Sequence, residues 1–341
     1  MFSQRALVTS AMLIIDVALD LLSWIGRQGT RALAALIVIG IAFPWLGTLL
    51  KPYLTEAVFV LLCIAFLQVD SGSLKSCFRR PILVLCATLW TSVVFPVLFG
   101  SGCLLLGLDQ SVPDLYFGLM LQAVASPMMA APALAALMGL DATLVLVTLV
   151  TTTALIPITA PLFAFIFVGP GLSFSPVELA AKLTVILVGA ALCGFALRKL
   201  SGKAFVERQR LRIHGFNILV LFVFVGALME NVGSRFIAAP FNTLALAAMA
   251  FAMFFAILCL TTVLFLPAGK EKALALGFMA SQRNMGLMLA ATGGALPEMT
   301  WLYFALSQFP IYLSPQLLKP LAHWILKRSP AATTSKSEAN I

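Results

Sequence analysis

The sequence predicts an all-α polytopic membrane protein with ten transmembrane helices, built as two inverted five-helix repeats. Three observations carry that prediction. Hydrophobic residues make up 61% of the 341 and charged residues only 10%, with a mean hydropathy of +1.05, whereas a soluble chain carries roughly 25% charged residues. Apolar runs of about 20 residues recur along the chain, the length that a bilayer core of about 30 Å demands of a helix. The connections between those runs alternate between basic and acidic.

The predicted helices cover residues 32–49, 53–70, 81–100, 115–139, 142–168, 177–198, 214–233, 242–267, 271–295 and 299–321, numbered here 1 to 10 in that order. Even-numbered connections and the two ends hold Arg27, Arg31, Lys75, Arg79, Arg80, Arg198, Lys199, Lys203, Arg208, Arg210, Arg212, Lys270, Lys272, Lys327 and Arg328. Odd-numbered connections hold Lys51, Lys182 and Arg235 together with Asp109, Asp114, Glu178, Glu230 and Glu298. Lys and Arg concentrate in cytoplasmic loops, so both termini are expected in the cytoplasm, with the inner membrane of a bacterium as the expected location. The net charge of +9 belongs to this bias and does not call for a nucleic-acid partner; the bilayer is the partner it fits.

Residues 1–31 are expected to form an interfacial helix. The apolar segment 7–25 carries Asp16 and Asp20, four apart and so on one face. Each costs about 2.5–3.5 kcal/mol at mid-membrane, against about 0.3–0.6 kcal/mol gained per Leu, Ile or Val, which disfavours an eleventh span. Residues 32–322 form the helical domain, and 323–341 read as a polar cytoplasmic tail. Cys63, Cys77, Cys86, Cys103, Cys193 and Cys259 lack CxxC spacing and read as unpaired packing residues. No metal or cofactor site is expected.

The basic connection 198–212 follows helix 6, and two halves of five helices sit in the membrane with opposite orientation. Transporters of that plan build their sites from helices broken at matching places in each half, which directs attention to helices 4 and 9. Helix 4 contains Ser126-Pro127 and Pro132, two prolines that remove backbone donors in mid-span. Helix 9 contains Ser281-Gln282-Arg283-Asn284 between apolar turns. Arg at a helix centre costs about 2.5–3.5 kcal/mol, and no acid lies in the middle of another helix to pair with it. Thirteen residues from Lys270, about 20 Å of helix, is too far for Arg283 to reach back to the surface. Thr91 and Pro96 in helix 3, Thr148 and its neighbours in helix 5, and Ser307 and Gln308 in helix 10 complete the expected site. Hydroxyls in such helices usually bond their own backbone.

These residues give the chain a resemblance to the bile acid:sodium symporter superfamily. The matching elements are Arg80-Pro81 and Pro96 in helix 3, Ser126-Pro127 in helix 4, Gly139-Leu140-Asp141 before helix 5, and Asn284-Met285-Gly286-Leu287 in helix 9. The likeness runs over most of residues 30–322. It implies crossed, discontinuous helices 4 and 9, a core of helices 3–5 and 8–10 that moves elevator-like against a panel of helices 1, 2, 6 and 7, and organic anions as solutes. It also implies two sodium ions held by a Glu and a Gln in helix 9, a Gln in helix 3 and a Ser-Asn pair in helix 4. Those positions are Met279, Arg283, Thr91 and Pro132-Ala133 here. A fixed guanidinium repels sodium, so the two-sodium scheme is not expected to operate; protons, exchange and facilitated diffusion stay open.

Arg283 has two readings at this point. It can cap half-helix carbonyls in place of sodium, or grip a carboxylate through two of its donors. The expected function is secondary transport of a small organic anion. The alternatives are an auxin-efflux-like carrier and a non-transporting sensor of the same fold. A cation/proton antiporter lacks its mid-membrane acid here, and the arsenite-exporting branch lacks its helix 4 Cys. An enzyme is not expected: HExxH and GxSxG are absent, and His214 and His323 lie at helix ends.

Overall fold

Proline opens several of these helices, at Pro44, Pro81, Pro113, Pro176 and Pro240. The computed structural model describes residues 16–17, 19–28, 30–69, 80–169, 175–293 and 296–327, and among them there are no strands. The helices used below are Thr30–Ala42 (α1), Pro44–Leu50 (α2), Leu54–Gln68 (α3), Pro81–Leu89 (α4), Phe95–Leu105 (α5), Pro113–Val124 (α6), Ala131–Leu137 (α7), Ala142–Phe167 (α8), Pro176–Ser201 (α9), Arg210–Leu228 (α10), Val232–Ala238 (α11), Pro240–Phe265 (α12), Lys270–Ser281 (α13), Met285–Ala291 (α14) and Glu298–Lys327 (α15). Six helical runs among the described residues are long and apolar enough to cross a membrane: Pro44–Gln68, Pro81–Leu105, Ala142–Phe167, Pro176–Ser201, Arg210–Ala238 and Pro240–Ala268.

Contacts divide the chain into two units, Met1–Val69 with Ile186–Gly233, and Asp70–Val185 with Ser234–Ile341. In the first, Gly40 lies against Met229 and Gly47 against Glu230, while Gly26 lies near Leu211. α1 therefore runs parallel to α10. Further along, Phe59 meets Gly189, and Arg198 Nη1 donates to the Leu67 carbonyl at 2.8 Å, so α3 runs parallel to α9. A Cβ on Gly194 would stand 2.6 Å from the Cys63 carbonyl oxygen, so glycine is what lets α3 and α9 touch backbone to backbone.

This arrangement corrects the expected boundary between helices 1 and 2. The sequence reading placed a turn at Lys51; the chain instead turns at Phe43 and continues as helix from Pro44 to Gln68, through a 3-10 turn at Lys51–Tyr53. Both sites are X-Pro steps, and the residue before a proline avoids the α region. Phe43 does so (φ −124°, ψ 73°), with Pro44 opening the next helix, whereas Lys51 stays helical (φ −53°, ψ −40°). Lys51 then pairs with Glu230 at 2.7 Å. The interfacial-helix expectation falls partly on residues 1–15, 18 and 29, which lie outside the described residues, as do Lys75, Cys77, Arg79 and residues 328–341; residues 323–327, expected in the polar tail, instead continue α15 to Lys327. Residues 19–28 are helical, with Asp16 and Asp20 exposed.

In the second unit, Arg80 pairs with Asp141 at 3.3 Å, the Thr88 and Thr151 hydroxyls bond at 2.7 Å, and Gly100 meets Phe167. The run α4–α5 is thus parallel to α8. Its middle widens into a π turn at Trp90–Val94, where Pro96 has no N–H to offer and crowds the carbonyl four residues back. Asp141 caps α8 by accepting the Leu144 N–H at 2.9 Å. α6 and α15 run parallel, joined by a bond from the Thr300 hydroxyl to the Asp114 carbonyl at 2.5 Å and by one from the Tyr303 hydroxyl to Gln122. From Ala273 onward α13 is buried on all sides, as is the whole of α14, and a helix enclosed all round is apolar all round.

Candidate functional site

Helix 4 stops at Val124. Ala125 turns extended (φ −64°, ψ 147°), Ser126 is pushed from the α region by the proline after it, and helix resumes at Ala131 with Pro132 in its first turn. Helix 9 stops at Ser281. Gln282 and Asn284 both leave the helical region (ψ 75° and 74°), and the Asn284 Oδ1 accepts the Leu287 N–H at 3.1 Å to cap α14. The break is thus written by an Asx cap as well as by polar residues.

The two interruptions meet. Met128 N–H donates to the Gln282 carbonyl at 2.5 Å, and Asn284 N–H donates to the Ser126 carbonyl at 2.7 Å. Pro127 and Arg283 therefore face one another as an isolated antiparallel bridge. Backbone groups stranded by both breaks satisfy each other, as buried amides must. Arg283 is 1% exposed and is the one buried charged residue among the described residues. Its Nη1 donates to the Ala125 carbonyl at 2.8 Å, and its guanidinium carbon lies 4.9 Å from the centre of the Phe95 ring. Its Nε and Nη2 are buried without a hydrogen-bond partner.

The predicted site residues fall into four groups. Ser126, Pro127, Gln282, Arg283 and Asn284 come together at this meeting point. Thr91 and Thr148 are buried on the π turn and on α8, with hydroxyls that have no partner, as is true of Ser92, Ser126 and Thr153. For Thr91 and Thr148 this differs from the expectation that such hydroxyls bond their own backbone; Thr151 and Thr152 follow it, to Val147 and Thr148 carbonyls. Ser307 and Gln308 are buried but spend their side chains on the Phe304 carbonyl, at 2.7 and 3.1 Å. Pro132 is half-buried and serves as a helix starter.

The sequence reading missed four participants. Phe95 and the Ala125 carbonyl hold the guanidinium, and neither an aromatic among 26 phenylalanines nor a backbone oxygen carries a signal in sequence. Ser314 accepts from Gln282 Nε2 at 2.5 Å, and Tyr303 bonds Gln122; both stand on α15, where only Ser307 and Gln308 drew attention. A groove of about 540 Å³, lined by Pro113, Leu115, Leu246, Met249 and Met299 among others, lies where α6 and α12 begin and contains none of the predicted site residues.

Chemically, the meeting point offers one buried positive charge, a set of hydroxyl and amide groups, and no carboxylate. Comparison with known proteins adds no assignment: no family model and no curated protein matches this sequence.

Proposed function

We propose that the protein is a secondary membrane transporter for a small organic anion, with its solute site where the two interrupted helices meet. The observation that carries this reading is Arg283, a buried guanidinium with unused donors, at a crossing that also holds the unpartnered Ser126 hydroxyl. Burying an unpaired charge is costly, and a fold that keeps one has a use for it. Interrupted helices whose broken ends face each other are the usual way a transporter offers polar groups inside an apolar body. The six membrane-length helices and the alternating loop charge support a multi-pass protein with both ends in the cytoplasm. Within this reading there are ten spans in two inverted repeats, and the elevator-like movement is the one implied by the resemblance.

Sodium coupling by the two-ion scheme does not belong to this function. The Ala125 carbonyl, at the C-terminal end of α6, is the kind of group that coordinates a cation in such folds, and it is already held by Arg283.

The test is a thermal-shift screen of purified protein against carboxylates, with and without sodium and across pH, followed by uptake of any hit into proteoliposomes. A bound ligand raises the unfolding temperature. The expected result is a carboxylate that stabilises equally with and without sodium and is taken up. Stabilisation without uptake would make the protein a sensor; no stabilisation by any carboxylate would remove the anion site.

A further inference from the structure

The surroundings of the Arg283 guanidinium are used unevenly. One face lies on Phe95, and Nη1 is committed to the Ala125 carbonyl at 2.8 Å. The two nitrogens left over, Nε and Nη2, are both buried and both without a partner. They are the two that share one edge of the plane, with N–H bonds pointing the same way. Along that edge Arg holds a carboxylate through two parallel hydrogen bonds. Buried donors are almost always paired, so two vacancies on one edge of one side chain are better explained by a single missing partner than by two separate defects.

We propose that the Nε/Nη2 edge of Arg283 is a seat for one planar, singly charged oxyanion, a carboxylate first, while Nη1 stays a fixed cap on the Ala125 carbonyl. The proposal rests on the reading of this crossing as the solute site, and it adds the binding edge and the shape and charge of the group bound. The two roles open to Arg283 from sequence are then not alternatives: different nitrogens perform them. The single charge follows from the absence of any second buried cation among the described residues; a dianion would leave one charge uncompensated in a low-dielectric interior. The planar shape follows from the donors, because two parallel N–H bonds match two oxygens on one carbon or nitrogen, whereas a halide offers a single point. Ser126 Oγ, on the residue after Ala125, is an unpartnered hydroxyl donor at the same break.

The experiment is calorimetric titration of the detergent-purified protein with formate, acetate, nitrate and chloride as choline salts. Formate and nitrate are expected to bind one per chain, at least about tenfold tighter than chloride, the difference expected for a bidentate over a single-point hold. In Arg283→Lys, which keeps the charge and loses the fork, that preference should fall to less than about threefold. The ligand series on the unaltered protein decides the matter by itself if the variant does not fold. Chloride binding as tightly as formate, or a formate preference retained in Arg283→Lys, would overturn the assigned edge. If larger carboxylates were still bound and transported, that result would leave the transporter reading standing. No anion binding at all would overturn both.

Discussion

Replacing Arg283 by Met separates a residue kept for function from one kept for stability. The guanidinium contributes one charge-assisted hydrogen bond, to Ala125 at 2.8 Å, of the kind that contributes about 1.5–3 kcal/mol. Its contact with Phe95 at 4.9 Å adds about 0.5–2 kcal/mol. Against these stands the cost of holding an unpaired Arg in an apolar interior, about 2.5–3.5 kcal/mol on insertion scales. The two sides nearly cancel, so the apparent unfolding free energy of Arg283→Met should differ from that of the parent by less than about 2 kcal/mol. Methionine also fills the apolar part of the volume with an unbranched chain. The assay is thermal unfolding in detergent, paired with carboxylate binding on the same preparation. The expected result is a folded protein near the parental midpoint that no longer binds. A variant that cannot be recovered folded would refute the reasoning, because the guanidinium would then be what holds the crossing together.

Other predictions follow from the same contacts. With Arg283 the one buried charge among the described residues, an empty site carries a charge that a bound monoanion cancels, so unlabelled carboxylate inside proteoliposomes should speed the entry of labelled carboxylate; equal rates into empty vesicles would count against this. Asp141 both caps α8 and pairs with Arg80, whose side chain is half exposed. Asp141→Asn, which keeps a capping side chain, should cost less than about 1 kcal/mol, and Asp141→Ala about 1 kcal/mol more, measured by denaturation in detergent. A Cβ on Gly277 would stand 2.7 Å from the Leu258 carbonyl oxygen, so Gly277→Val should force α12 and α13 apart at a cost of about 1–3 kcal/mol. The readout is a lowered unfolding temperature, and an unchanged one would contradict the close contact.

The two helix breaks could be read from the sequence because they violate strong local rules. Four consecutive polar residues, 281–284, cannot continue an apolar helix quietly, and Ser126-Pro127 with Pro132 cannot keep a ladder of backbone bonds. Asn284 even marks where the second half restarts. The parts that stayed hidden depend on groups without a sequence signature. The carbonyl that holds Arg283 belongs to an alanine, and the ring beneath it is one phenylalanine of many. The π turn at 90–94 lies just ahead of Pro96, and a lone proline in an apolar run does not by itself announce that widening. The boundary between helices 1 and 2 is not legible in sequence because Phe43-Pro44 and Lys51-Pro52 are both X-Pro steps; packing against Met229 and Glu230 makes the choice. Ser307 and Gln308 stand out in sequence by their polarity, yet a carbonyl one turn back takes up both.

The central claim is that a guanidinium enclosed where two broken helices meet holds the solute. A density map of the protein in lipid nanodiscs, with and without formate, tests it most directly. The account predicts residues 282–284 outside the helix, Nη1 of Arg283 on the Ala125 carbonyl, and added density along the Nε/Nη2 edge only when formate is present. Residues 281–286 as one unbroken helix, with the guanidinium among lipid headgroups, would contradict it.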